Sequence, residues 1–432
     1  MNYKDFFKNK RIAVIGLGPH GEMIADIKFL LRNKARVALY DMRSDKKLKG
    51  FLAELKEVGL ERYTFGKVPA DELLNAELII ISPELSKKSL FLKKATQAEI
   101  QIEYPETLFF KLAPSVTLIG IMGLYGKSTV AHLIYNILKK AFVDYEDQGL
   151  FFIDPESTNG ALTHLKKIKK GDVVLSRIPD SLMQHYYEIH ISPHVAVITS
   201  EIPFGILEFQ TYNNFIVAPD AVVDMIKSQK NLSSKAKILR TRGSSIPLDW
   251  NIKPRAVYDR ENAALALQTS ELFKVSSEIA KEVIQSFIGL KGRVELVKKV
   301  SGIEFYNDAT SVVPQATLSA LMTLASGKNI VLILGGAYTG HDYSNLIKNI
   351  PNYVSTIILL PGSGTLGFRA DIENFPEINF VQVLSLEEAV KEALEHAKKG
   401  DRVLFSPAFD AVGVDISRKE RGERFVKAVR GL

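Results

Sequence analysis

The densest chemistry in the chain lies in Gly120-Ile-Met-Gly123-Leu-Tyr-Gly126-Lys127-Ser128-Thr129. This stretch follows an apolar run at 116–121 and opens an amphipathic stretch at 127–139. Glycines at such a junction let backbone amides face phosphate oxygens. A lysine there carries charge toward the β- and γ-phosphates, and a serine hydroxyl can coordinate Mg²⁺. Gly123, Gly126, Lys127, Ser128 and Thr129 are therefore the candidate ATP site, with Lys127 as catalytic cation and Ser128 as metal ligand. The pattern departs from the strict GxxxxGK[ST] form, because Ile121 stands at the first glycine position.

A second glycine turn, Gly16-x-Gly18-x-x-Gly21, follows an apolar run at 11–15 and precedes a helical pattern at 21–32. Its glycines permit a tight turn and close backbone approach, and the helix start attracts phosphate. Asp41 ends the next strand, at the spacing of a ribose-binding acid. The residues alone leave three readings open: a nicotinamide-type dinucleotide site, a site for another nucleotide, or a turn that binds nothing. A third glycine group, Gly335-Gly336 with Gly340, follows the apolar run 330–334.

These turns need strands before them and helices after them, and the whole chain supplies that alternation. Strands are expected at 11–15, 36–40, 78–81, 116–121, 172–175, 195–199, 330–334, 356–360 and 402–405. Helices are expected at 21–32, 127–139, 262–273, 276–287, 314–324 and 386–398. Continuous apolar strands separated by helices imply parallel sheets covered on both faces. The fold class is α/β. At roughly 150 residues per domain, 432 residues suggest about three. The glycine turns place them at 1–113, 114–298 and 299–432.

With 46% hydrophobic and 24% charged residues, the chain is rich enough in apolar side chains for several cores and is not disordered. It has no cysteine, which excludes disulfides, thiolate metal sites and thiol nucleophiles. No apolar run approaches the ~18 residues of a membrane span, and residues 1–10 lack a signal-peptide core. A cytoplasmic protein without membrane insertion is expected. The net charge of +7 is mild, and its denser patches, 87–94 and 165–171, hold little aromatic surface for stacking bases. No nucleic-acid partner is expected; polyanionic small substrates suit the charge.

GIMGLYGKSTVAHLIYNIL resembles the ATP loop of the Mur ligases, and further matches follow in family order. Ser82-Pro83 resembles the Ser-Pro-Gly turn of the family's first domain, with Glu84 for glycine. Arg260-Glu-Asn262 resembles the segment whose asparagine meets adenine, and Gly289-Leu-x-x-Arg293-x-Glu295 the phosphate-contacting arginine motif. Tyr306-Asn307-Asp308-Ala309-Thr310, Pro314-x-Ala316-Thr317, Leu334-Gly335-Gly336 with Gly340-His-Asp342, and Ser406-Pro407-Ala408 resemble parts of the C-terminal domain.

The resemblance implies a Rossmann-like UDP-sugar domain, a central P-loop ATP domain and a Rossmann-like domain that presents an amino acid. It implies ATP and Mg²⁺, UDP-sugar and amino-acid substrates, and a monomer. The reaction would be ATP-dependent amide-bond formation through an acyl-phosphate, adding D-glutamate to a peptidoglycan precursor. Gly16, Gly18, Gly21, Asp41, Arg43 and Ser82 would hold the UDP-sugar; Asn262, Arg293 and Asp308 would complete the ATP site. An alternative is a catalytically impaired relative that binds nucleotide in a regulatory or scaffold role.

That alternative rests on departures from the family pattern. Ser176 stands where a magnesium-binding glutamate is implied, with Ile178-Pro179 for the Ser-Ser that follows. Ser200-Glu201 and the residues after them lack the family's Asn and Asp-His. Ile216 replaces the carbamylated lysine, and Asn307-Asp308-Ala309-Thr310 lacks its lysine. Thr339 stands for a substrate-binding lysine, and Ala411-Val412 for Ser-Phe. Glu201 and Asp180 are the candidate substitute metal ligands, with His185 and His194 as possible helpers.

Overall fold

A computed structural model of the chain describes residues 2–18, 21–43, 45–85, 88–144, 148–202, 204–229, 232, 234–250, 252, 257–338, 340–411 and 418–432. Three sheets form among these residues. The first contains β1 (Arg11–Ile15), β2 (Arg36–Asp41), β3 (Arg62–Phe65), β4 (Leu78–Ile81) and β5 (Gln101–Glu103), in spatial order β3-β2-β1-β4-β5. All its pairings are parallel.

The second sheet contains β6 (Thr117–Met122), β7 (Leu150–Ile153), β8 (Val173–Arg177), β9 (Val195–Ile198), β10 (Phe215–Pro219) and β11 (Lys237–Thr241). Its order is β11-β10-β9-β6-β8-β7, again all parallel. The third contains β12 (Glu295–Val300), β13 (Ile303–Asn307), β14 (Ile330–Leu334), β15 (Val354–Leu359), β16 (Asn379–Gln382) and β17 (Arg402–Phe405). Its order is β12-β13-β17-β14-β15-β16, with only β12 antiparallel to its neighbour.

Each glycine turn follows the strand at which the chain changes direction across its sheet: β1, β6 or β14. In open α/β sheets ligands bind at such switch points, beyond the carboxyl ends of the strands. Interior strands are apolar because both faces are covered: β4, β8, β9 and β14 are buried along their whole length. In β14 the alternation is visible directly. Ile330, Leu332 and Leu334 pack on one face and Val331 and Ile333 on the other.

The chain divides into two compact units. One comprises 1–241 and 265–279 and carries the first two sheets; the other comprises 242–264 and 280–432 and carries the third. Within the first unit, the helices Ile24–Arg32 and Pro105–Leu112 pack on the short helix Ala161–Lys166. Asp26 reaches across this seam: its carboxylate accepts a hydrogen bond from Leu162 N at 2.8 Å. Glu103, at the end of β5, joins the same two sheets. It accepts from Gln101 at 2.9 Å, Thr107 at 2.9 Å and Lys111, and lies 3.0 Å from His185 Nε2. No described helix is long and apolar enough to cross a membrane.

A candidate nucleotide-binding site

The phosphate-loop residues lie between β6 and the helix Lys127–Ala141, which buries a stripe of Val130, Ile134, Ile137 and Leu138. Gly126 caps that helix at φ +82°, and Gly123 sits at φ +135°, conformations that favour glycine. A side chain at 123 would press into Thr199 Oγ1 and lie 2.9 Å from Ser200 N. The loop is therefore seated on the residues that follow β9. Ser200 Oγ accepts from Leu124 N at 2.7 Å and from Tyr125 N at 3.4 Å. Thr199 Oγ1 donates to Met122 O at 3.1 Å and also to Tyr125 O.

Lys127 donates to Gly123 O within the loop, and its Nζ lies 3.8 Å from Asp180 Oδ1. Ser128 is buried in the first helical turn and Thr129 is half-buried. His132 Nδ1 lies 2.8 Å from Ser128 O, fixing this turn. A helix start, a lysine and a hydroxyl thus meet at one strand end, an arrangement that suits a polyphosphate.

The N-terminal turn is braced by the residues expected to read its ligand. Gly16, Gly18 and Gly21 all have positive φ. Buried Asp41 accepts from Leu17 N at 3.0 Å and holds the Arg43 guanidinium at 2.7 Å; Arg43 also donates to Gly18 O at 2.9 Å. Burial alone would raise the Asp41 pKa, but hydrogen bonds from Arg43 and Leu17 outweigh it and hold the carboxyl below its ordinary value. Ser82 is buried against Gly16 and donates to Glu84.

Asn262, Arg293 and Asp308 lie in the second unit. Asn262 is buried in the helix Val257–Glu271. Asp308 accepts from Ser406 Oγ at 2.7 Å and Val294 N at 3.2 Å, and burial pushes its pKa up to about 6. It ties the carboxyl ends of β13 and β17 to the turn carrying Arg293. Gly292 and Glu295 support that turn through Thr310 and Asn307.

Residues 10–103 match the family model for the MurD-like N-terminal domain of Mur ligases, and residues 292–409 match the Mur ligase glutamate ligase domain. The chain belongs to the Mur ligase family. It is 27% identical to the UDP-N-acetylmuramoylalanine–D-glutamate ligase of Caldanaerobacter subterraneus subsp. tengcongensis, over 98% of this chain and 99% of that one. The enzyme of that name from Bdellovibrio bacteriovorus is 28% identical, over 99% of each chain.

Solved Mur ligases share the fold. The UDP-N-acetylmuramate-alanine ligase of Thermotoga maritima superposes with a TM-score of 0.60 at 14% identity, covering 98% of this chain and 99% of that one. The MurF ligase of Thermotoga maritima, solved with ADP, gives 0.55 at 17% identity, covering 100% and 97%.

Against this Mur ligase background the departures have physical locations. Ser176, at the implied magnesium position, is fully buried next to Tyr186, whose pKa burial raises and the Ser176 hydroxyl partly offsets. Ile216 is fully buried in β10. Ala309 and Ala411 are buried; Thr339 and Val412 lie outside the described residues. The two histidines considered as metal helpers are engaged elsewhere: His185 with Glu103, and His194 Nδ1 accepting from Leu118 N at 3.0 Å. Glu201 is exposed.

Among the described residues no three His, Asp or Glu side chains gather as a metal site. Mg²⁺ carried by a nucleotide needs less, since one or two protein ligands join the phosphates and waters. Ser128 and Asp180 supply a hydroxyl and a carboxylate at the loop, so the residues present fit one such ion. The loop's contacts to Thr199 and Ser200, and the nearness of Asp180 to Lys127, were not evident from sequence spacing.

Proposed function

We propose that this Mur ligase is an ATP-dependent ligase that adds D-glutamate to UDP-N-acetylmuramoyl-L-alanine in peptidoglycan-precursor synthesis. The observation that carries the reading is the glycine loop between β6 and its helix, with Lys127 and Ser128 at the helix start. The full-length likeness to D-glutamate ligases supplies the substrates.

In this reading the domains are 1–113, 114–298 and 299–432. Gly16, Gly18, Gly21, Asp41, Arg43 and Ser82 form the UDP-sugar cradle, and Gly123, Gly126, Lys127, Ser128 and Thr129 hold the ATP phosphates. Asn262 faces the base; Arg293 and Asp308 serve ribose or phosphate. Ser128 and Asp180 would hold Mg²⁺, which would supply positive charge to the phosphates. Lys127 leaves Gly123 O for the β/γ-phosphates and stabilises charge as the acceptor carboxylate takes the γ-phosphoryl group. The amine of D-glutamate then displaces phosphate from the acyl-phosphate. A cytoplasmic monomer is the setting that goes with this chemistry.

One observation favours a second reading, a nucleotide-binding relative with little turnover. The buried Ser176–Tyr186 contact and buried Ile216 occupy positions that metal ligands hold in the family resemblance. Phosphate release with ATP, Mg²⁺, UDP-N-acetylmuramoyl-L-alanine and a panel of amino acids separates the two. The ligase reading expects release that needs both substrates, is greatest with D-glutamate, and falls at least about 100-fold in Lys127→Ala. ATP binding without any release supports the second reading instead.

A further inference from the structure

Where the helices Ile24–Arg32 and Pro105–Leu112 meet the second sheet, a cavity of about 10 Å³ is lined by Glu22, Asp26, Pro83, Glu106, Asp154 and Ser157. Such a volume admits one water-sized group. Three carboxyl groups on its wall are already engaged or packed against neighbours. Asp26 accepts from Leu162 N at 2.8 Å, and Asp154 accepts from Arg177 Nε at 2.8 Å and Glu156 N at 3.0 Å. Glu22 lies against Gly18.

Glu106 differs. It is only 4% exposed, and its Oε2 has no hydrogen-bond partner. A buried polar atom left without a partner costs about 1–3 kcal/mol, so its retention calls for an explanation.

The cavity's position supplies one. Glu22 follows Gly21 of the N-terminal turn, and Pro83 follows Ser82. Pro83 O accepts from Ser181 Oγ at 3.2 Å, and the adjacent Asp180 lies 3.8 Å from Lys127 Nζ. The cavity therefore shares Pro83 with the contacts that link the N-terminal turn to the phosphate loop, the two ends between which the sugar of an acceptor would lie. Its carboxyl lining repels an anionic group. A hydroxyl, which both donates and accepts, matches Glu106 in either protonation state.

We propose that this cavity is a subsite for one hydroxyl of the sugar moiety of the sugar-nucleotide acceptor, bound by Glu106 Oε2. The proposal rests on the reading of the first domain as a UDP-sugar domain. Burial pushes the Glu106 pKa up to about 8, so at neutral pH the group carries a proton to donate. Charged neighbours Asp26, Asp154 and Glu84 raise it further.

Calorimetric titration with UDP-N-acetylmuramoyl-L-alanine and with UDP alone tests this on the full chain. Glu106→Leu fills the same volume without polar atoms. It is expected to weaken acceptor binding about tenfold while leaving UDP affinity within about twofold. Glu106→Gln, which keeps a donor and an acceptor, is expected to retain acceptor affinity within about threefold. Equal affinities for the acceptor in wild type and Glu106→Leu would mean the cavity holds a structural water, and would overturn the subsite while leaving the ligase reading intact. Equal weakening of UDP and acceptor would overturn it as a general packing effect. Failure of the wild type to bind either ligand would overturn the UDP-sugar reading and the subsite together.

Discussion

Ser200 holds two consecutive loop amides with a single hydroxyl, at 2.7 Å from Leu124 N and 3.4 Å from Tyr125 N. A phosphate loop works only if its amides keep one orientation before the ligand arrives, because ordering them on binding would subtract from affinity. Read as sequence, Ser200 is a departure from the family pattern; in the fold it is a support for the loop. Ser200→Ala removes the acceptor for both amides. The expected result is a five- to tenfold weaker affinity for a fluorescent ATP analogue, from about 1 kcal/mol of lost hydrogen bonding, with unchanged circular dichroism. Affinity equal to wild type would remove Ser200 from the loop's support. The measurement needs no turnover, so it holds under either functional reading.

At the scale of elements, the loop is fixed by the parallel neighbours β6 and β9, whose ends bring residues 123–125 onto 199–200. Gly123→Ala puts a Cβ at φ +135° within 2.9 Å of Ser200 N, a backbone atom that cannot turn aside. Gly171→Ala also falls at positive φ, but nothing lies within 4 Å of its added carbon. Gly123→Ala is expected to lower stability by about 1–3 kcal/mol in urea unfolding and to abolish ATP-analogue binding; Gly171→Ala pays only the backbone strain and keeps binding. The three glycine turns were legible in the sequence because glycine and the apolar run before it are local signals. Edge strands β3, β11 and β12 were not, since exposed Arg62, Lys237 and Lys299 interrupt the apolar pattern that marks a strand. The Ser200–Leu124 contact joins residues 76 apart, and only sheet order creates it.

At the scale of the whole molecule, three buried carboxyls among the described residues have raised pKa values: Asp308 to about 6, Asp26 to about 7 and Glu106 to about 8. Burial is the main cause in each, because the charged form loses water that its hydrogen bonds do not fully replace. An acid whose folded pKa exceeds its unfolded value binds more protons folded than unfolded between the two. Stability therefore falls as pH rises through that window, here from about 4 to 8. Glu103 acts in the opposite sense. Burial opposes its charge, but His185, Gln101 and Lys111 outweigh burial and hold it at about 2, so its contribution is present above about 4.5 and lost toward pH 2. The seam between the first two sheets carries Glu103, Asp26 and Glu106 together, so the first unit should be most stable on the acid side of neutrality. Thermal unfolding between pH 5 and 9 is expected to show a midpoint that falls as pH rises and levels off above about 8, once all three acids are ionised in the fold. The groups facing Glu106 are Asp26, Asp154 and Glu84, all acids, so ionising it adds repulsion to desolvation. Glu106→Leu should flatten the alkaline part of that profile, whereas an unchanged slope in the variant would mean that Glu106 does not titrate there.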